Sequence, residues 1–110
     1  MPMGEKVLEK LVCKITVEIR NADGLHMRPA MQFIDLASRF DSEISVSNGP
    51  TTADGKSIMQ MSMLAATYGT RLEIRAEGPD ADKAVEALRE LVEVKLFDEP
   101  PPPGTGNETR

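Results

Sequence analysis

Between Leu11 and Ile19 the apolar residues fall on every second position, and from Ala30 to Phe40 they recur at helical spacing. That switch of period constrains the chain more than any other feature. A strand buries alternate residues and a helix buries a stripe, and neither pattern satisfies the other geometry. Leu11, Cys13, Ile15, Val17 and Ile19 alternate with Lys14, Thr16, Glu18 and Arg20, which predicts a strand with one buried face. Asn21-Ala22-Asp23-Gly24 is a turn cluster. Ala30, Phe33, Ile34, Ala37 and Phe40 then outline a helix in which Pro29 is tolerated because it lies in the first turn. Ile44 and Val46 mark a short strand, and Asn48-Gly49 ends it ahead of a return strand over 50–53. A methionine-rich helix fits 57–66, with Met61, Leu64 and Ala65 toward the core. Leu72, Ile74 and Ala76 form another strand, and Gly78-Pro79-Asp80 opens a last helix that buries Ala84, Val85, Leu88, Leu91 and Val92. The order is β-α-β-β-α-β-α. Strands with one polar face, and helices to cover the other, predict an α+β fold with an antiparallel sheet covered on one side.

The folded unit is expected over 11–97, after a short amino-terminal extension at 1–10. From Asp98 the chain reads DEPPPPGTGNETR, whose four consecutive prolines favour an extended rod, so 98–110 is read as a flexible tail. Its prolines could serve as a ligand for a partner; a plain overhang is the simpler reading.

Composition narrows the chemistry. A single cysteine forms no internal disulfide, and one Cys with one His cannot complete a four-ligand zinc site. No metal and no cofactor are therefore expected. Cys13 reads as buried filler. Against 13 basic residues stand 18 acidic ones, for a net charge of −5, and this balance lacks the footprint that generic nucleic-acid binding needs. The apolar runs are too short to span a bilayer, and MPMGEKVLEK has no signal-peptide core. A cytoplasmic, monomeric protein is the expectation.

His26, the only imidazole, sits in Gly24-Leu25-His26-Met27-Arg28-Pro29-Ala30, where a loop enters a helix. The first N–H groups of a helix lack intrahelical acceptors, and the macrodipole adds positive potential there. An anion at that point is stabilised. Arg28 can reach the same anion with a planar fork of donors. A neutral imidazole is also a competent nucleophile near neutral pH. On spacing alone two readings stay open: a histidine that accepts a phosphoryl group, and an incidental helix-cap residue with a solvated arginine. No nucleophile-elbow pattern points to a triad hydrolase.

This run resembles the active-site signature of the histidine-containing phosphocarrier family, HPr, which usually reads G-[LI]-H-[AM]-R-P-A. Asp54-Gly55-Lys56-Ser57-Ile58-Met59 resembles the family's second signature, around its regulatory serine. The separation and the element order match over 11–97. The resemblance implies an open-faced β-sandwich, a four-stranded antiparallel sheet covered on one face by three helices. It implies a stoichiometric phosphoryl carrier rather than a turnover catalyst: enzyme I of the phosphoenolpyruvate-dependent phosphotransferase system donates, and enzyme IIA domains accept during sugar uptake. His26 would carry the group on Nδ1 and Arg28 would help hold it. Ser57 would be the target of a dedicated kinase, the HPr kinase/phosphorylase. Capping alone also explains Ser57, since Ser57-Ile58-Met59-Gln60 fits the capping-box pattern. Met27, Ile58, Met59, Ser62 and Met63 are candidates for a partner-docking patch, because flexible thioethers suit a surface that meets unlike partners in turn. Two other readings stand beside the carrier. One is a regulatory relative, in a nitrogen-related phosphorelay or as a serine-phosphorylated corepressor. The other is a non-phosphorylated protein- or RNA-binding module, against which the acidic balance and the absence of strand aromatics weigh.

Overall fold

Four strands alternate apolar and polar residues, and their register lines the apolar ones into rows. In the computed structural model, which describes residues 11–99, these are β1 (Leu11–Glu18), β2 (Glu43–Ser47), β3 (Thr52–Asp54) and β4 (Arg71–Gly78). The amino-terminal extension and the proline-rich stretch from Pro100 lie outside the described residues. Every pairing is antiparallel, in the order β1-β4-β2-β3. Ile15 lies opposite Ile74, Ile74 opposite Val46, and Val46 opposite Ala53, so one apolar row crosses the whole sheet. Lys14, Arg75, Ser45 and Asp54 form the neighbouring row on the open face.

Helices α1 (Met27–Ala37), α2 (Ile58–Ser62) and α3 (Ala81–Arg89) supply the covering layer. Phe33, Ala37, Met61, Ala84 and Leu88 close the core against Val17, Val46, Leu72 and Ile74. The structure is the expected open-faced sandwich. A second constraint ties its far end together. The Asp80 carboxylate accepts the Asp41 and Ser42 N–H groups at 2.9 and 3.0 Å and the Ser42 hydroxyl at 2.6 Å. The Ser42 hydroxyl bond and then the Asp41 N–H bond hold its pKa below the ordinary value, against a smaller opposing push from burial. Gly78 permits this close approach: a Cβ there would lie 2.6 Å from the Ser42 Cα.

The structure corrects several details of the sequence reading. Cys13 and Ile15 are half-buried and Leu11 is exposed, because β1 is an edge strand whose outer end the core covers incompletely. The return strand is Thr52–Asp54, displaced beyond the turn in which Asn48 Oδ1 accepts the Thr51 N–H. The methionine helix ends at Ser62 rather than 66. Beyond it Ala65 takes a left-handed φ of 49° and is exposed, while Ala66 is buried instead. The carbonyls of Leu64 and Ala66 accept from Asn48 Nδ2 and the Leu25 N–H, both at 2.9 Å. After α3 the chain makes a π-helical turn over Glu90–Val94, which leaves Val92 buried and Leu91 half-buried. Glu93 from that turn accepts the Glu18 N–H at 2.8 Å.

The chain then takes a rarer course. Leu96, Phe97 and Asp98 all adopt positive φ, at 50°, 54° and 61°. Each costs about 1–2 kcal/mol for a residue with a Cβ. Phe97 is fully buried, and burial of a phenylalanine returns about 1.5–3 kcal/mol. The result is a left-handed turn that folds Glu99 back over the body of the protein.

Candidate functional site

Helix α1 begins where the Gly24-Leu25 loop meets the segment after α2. Gly24 has a φ of 72°, and a Cβ there would sit 2.6 Å from the Ala66 carbonyl oxygen. Only glycine fits both the conformation and the space. Leu25 then donates to Ala66, so the start of α1 is pinned beside the end of α2. His26 occupies the N-cap position with extended backbone (φ −81°, ψ −169°), and its carbonyl accepts the Ala30 N–H at 2.9 Å.

Its side chain does not cap the helix. The imidazole turns instead toward the carboxy-terminal segment: Nε2 lies 3.0 Å from Glu99 Oε2 and 3.3 Å from Oε1. Among the described residues Glu99 is the partner of the ring, and it engages Nε2, not Nδ1. With no acidic residue in the first turn and no side-chain cap, the first N–H groups of α1 remain available to an anion. Arg28 projects from the same turn and lies 3.7 Å from Glu99 Oε2. His26, Arg28 and the helix terminus thus surround an open anion site. The His26 side chain is 40% exposed and that of Arg28 59%.

Glu99 and Asn21 are the two residues of this site that the sequence reading did not single out. The Asn21 side chain is fully buried, and its Nδ2 donates to the Gly24 carbonyl at 2.7 Å and to Glu99 Oε1 at 2.9 Å. Burial pushes the Glu99 pKa up. The hydrogen bonds from Asn21 and His26, with the charges of His26 and Arg28, outweigh that push and hold the carboxyl below its ordinary value. Asn21 sits in a turn cluster and Glu99 before a proline run, so neither carries a local mark of a shared site.

Ser57 takes the N-cap of α2, and its Oγ accepts the Gln60 N–H at 3.2 Å. The expected capping box is only half formed. Gln60 Oε1 accepts the Asp54 N–H at 2.8 Å, because the Ser57 N–H is already bonded to the Asp54 carbonyl. Met27, Met59 and Met63 are exposed, as is Ser62, and Ile58 is half-buried. Met61 is buried. Met31, one turn after Met27 on α1, is also exposed and extends the same apolar surface; its i+4 spacing was the signal for it. α1 packs on α2, and the bond from Leu25 to Ala66 brings the end of α2, where Met63 lies, beside the end of α1 that carries His26.

No helix among the described residues is long and apolar enough to cross a membrane, and none of their acidic, Cys and His side chains form a group that could hold a metal. The family model described as the phosphorylation site of the HPr component of the phosphotransferase system matches residues 13–94. Phosphocarrier protein HPr of Haemophilus influenzae is 47% identical over 76 residues, spanning 69% of this chain and 89% of that protein. The solved HPr of Thermoanaerobacter tengcongensis superposes with a TM-score of 0.76 at 39% identity, covering 80% of this chain and 98% of that one. The catabolite-repression protein Crh of Bacillus subtilis, solved as a domain-swapped dimer, does so at 0.60 and 37% identity, over 69% and 87%. With its sandwich fold, its open histidine site and these matches, the chain belongs to the HPr family of phosphocarriers.

Proposed function

We propose that the chain accepts a phosphoryl group from phospho-enzyme I on His26 and passes it to enzyme IIA domains during sugar uptake. The observation that carries this reading is the unburied anion site at the start of α1. A carrier must stabilise a phosphoryl group and release it again. Free helix N–H groups and one arginine supply attraction, while the exposure of His26 and Arg28 leaves that attraction screened by water. A closed pocket would bind too well to pass the group on. The neighbouring Met27, Met59 and Met63, with Ile58 and Ser62, offer an adaptable docking face to a donor and an acceptor of unlike shape. The carrier works as a monomer in this reading, since a second copy on that face would compete with both partners.

The test is incubation of the full chain with enzyme I and labelled phosphoenolpyruvate. An acid-labile label on the native protein, absent from His26→Ala, is expected; no label on the native protein would end the reading. Because the chain has one histidine, no second imidazole confuses the result.

A second role, regulation at Ser57, is favoured by its position. The hydroxyl stands at the entry to the methionine-bearing helix, where a phosphate adds about 1.5–2 negative charges within the docking face. A serine kinase acting there with ATP would turn the carrier into a signal. Label transfer from ATP to the native chain but not to Ser57→Ala, in the presence of an HPr kinase/phosphorylase, is the expected result.

A further inference from the structure

We infer that Glu99 is a positioning residue for phosphoryl transfer: its carboxylate accepts the Nε2 proton of His26 and so leaves the ring's lone pair on Nδ1. The inference rests on the carrier reading above and deepens it.

A neutral imidazole carries one proton on either of two nitrogens, and the hydrogen bond made by one nitrogen decides which of them is the nucleophile. Here the Glu99 carboxylate lies 3.0 Å from Nε2, and no described residue bonds Nδ1. A carboxylate only accepts, so the ring must donate, and the proton belongs on Nε2.

Glu99 is itself firmly placed. The left-handed turn at Leu96–Asp98, anchored by buried Phe97, delivers it to the site. Buried Asn21 bonds Oε1 and Arg28 lies beside Oε2. Glu99 has extended backbone (φ −117°, ψ 151°), the conformation to which a following proline, here Pro100, restricts it. Its side chain is 12% exposed, whereas that of the histidine it orients is 40% exposed. The carboxylate is thus sheltered while the nucleophile faces solvent.

In the transfer step the Nδ1 lone pair forms the new N–P bond with a phosphohistidine of the donor. The bond from phosphorus to the donor nitrogen breaks, and its electron pair stays on that nitrogen. The Nε2 proton remains in place, so the ring of His26 becomes an imidazolium whose positive charge develops next to Glu99. Arg28, which faces Glu99 before transfer, is within the same site to meet the arriving phosphoryl oxygens.

The experiment uses the full chain labelled with ¹⁵N. Nitrogen spectra of His26, recorded at a pH where the ring is neutral, report the tautomer directly; stopped-flow transfer from phospho-enzyme I reports the rate. The native chain should hold the Nε2–H tautomer. Glu99→Ala should raise the share of the other tautomer and slow transfer about tenfold, the lower end of the cost of removing the carboxylate that orients a metal-bound histidine. Glu99→Gln retains an oxygen acceptor but no charge, and should restore the tautomer with only part of the rate. An unchanged tautomer ratio in Glu99→Ala overturns the inference, and so does an unchanged rate. If the native chain takes no label from phospho-enzyme I, the carrier reading fails separately, and the nitrogen spectra still decide whether Glu99 holds the Nε2 proton.

Discussion

Helices α1 and α2 pack together and treat their N-termini in opposite ways. Ser57 turns its hydroxyl back onto the Gln60 N–H and closes α2 by itself. His26 holds the equivalent position on α1, turns its ring outward to Glu99, and leaves the helix end open. A capped terminus is a structural feature and an open one beside Arg28 is a site for an anion. The difference also separates the two places where the proposed function adds phosphate. At His26 it enters a site whose donors are waiting. At Ser57 it must convert a hydroxyl already used by the helix.

Breaking the open terminus should have the largest effects. His26→Ala should abolish transfer, with no loss of fold, because the side chain supports no helix bond. Arg28→Ala should slow transfer about tenfold to a hundredfold, less than the loss of a donor in a dry oxyanion site because this guanidinium is largely exposed. Arg28→Lys should recover only part of that rate, since an ammonium does not reproduce the planar fork. Single-turnover transfer from phospho-enzyme I checks all three.

The third helix offers a control far from the chemistry. Asp80 stands at the N-cap of α3, where its carboxylate makes no cap bond to that helix and instead ties down Ser42 and Asp41. Asp80→Ala should cost about 2 kcal/mol in urea unfolding, by loss of three bonds to a charged acceptor and exposure of a buried hydroxyl's unmet need. The folded chain holds this carboxyl's pKa below its ordinary 3.8, so ionisation favours the native state. That contribution is present above the unfolded value and is lost as pH falls below 3.8 and through the folded one. Glu99 has the same sign, its carboxyl held below the ordinary 4.5. Native stability should therefore fall on acidification below about pH 4.5, and Asp80→Asn should flatten part of that slope.

How much of this was legible in the sequence follows the range of the signals. The order of elements, the buried faces of β4 and α3, the core place of Met61 and the cap role of Ser57 all rest on spacing within a few residues, and all appear in the structure. The extent of α2 did not, because Ala65 takes a left-handed conformation that no glycine or asparagine announces in the sequence. Glu99 was hidden for a similar reason. Its place depends on three residues with side chains in left-handed conformation, where glycine or asparagine would have marked the turn. A proline run beyond it reads as a tail, and nothing local says that the residue before it returns to His26, 73 positions earlier.

The proposed docking residues should respond more mildly. Met59 is 76% exposed and supports no core contact that a charge would break. Met59→Glu should leave the unfolding midpoint near native and weaken transfer from enzyme I by about tenfold, the equivalent of 1.4 kcal/mol. The defect should be in the concentration of enzyme I needed, not in the rate at saturation. The reverse split, with a slower saturated rate, would place Met59 in the chemistry rather than in docking.

The smallest effect sharpens the comparison most, because it separates what Ser57 does for its helix from what charge does to the face. Ser57→Ala removes the acceptor for the Gln60 N–H but adds no charge, and should cost about 1 kcal/mol of stability with transfer unchanged. Ser57→Asp replaces one good capping residue by another and adds a negative charge within the methionine surface. Its stability should stay within a few tenths of a kcal/mol of native, while transfer from enzyme I falls. The two variants therefore move opposite observables. If Ser57→Asp loses stability and keeps its transfer rate, α2 is not capped as described and the surface around it does not meet the donor. If both variants slow transfer alike, the hydroxyl itself contacts the donor, and the closed terminus is as much a part of the working site as the open one.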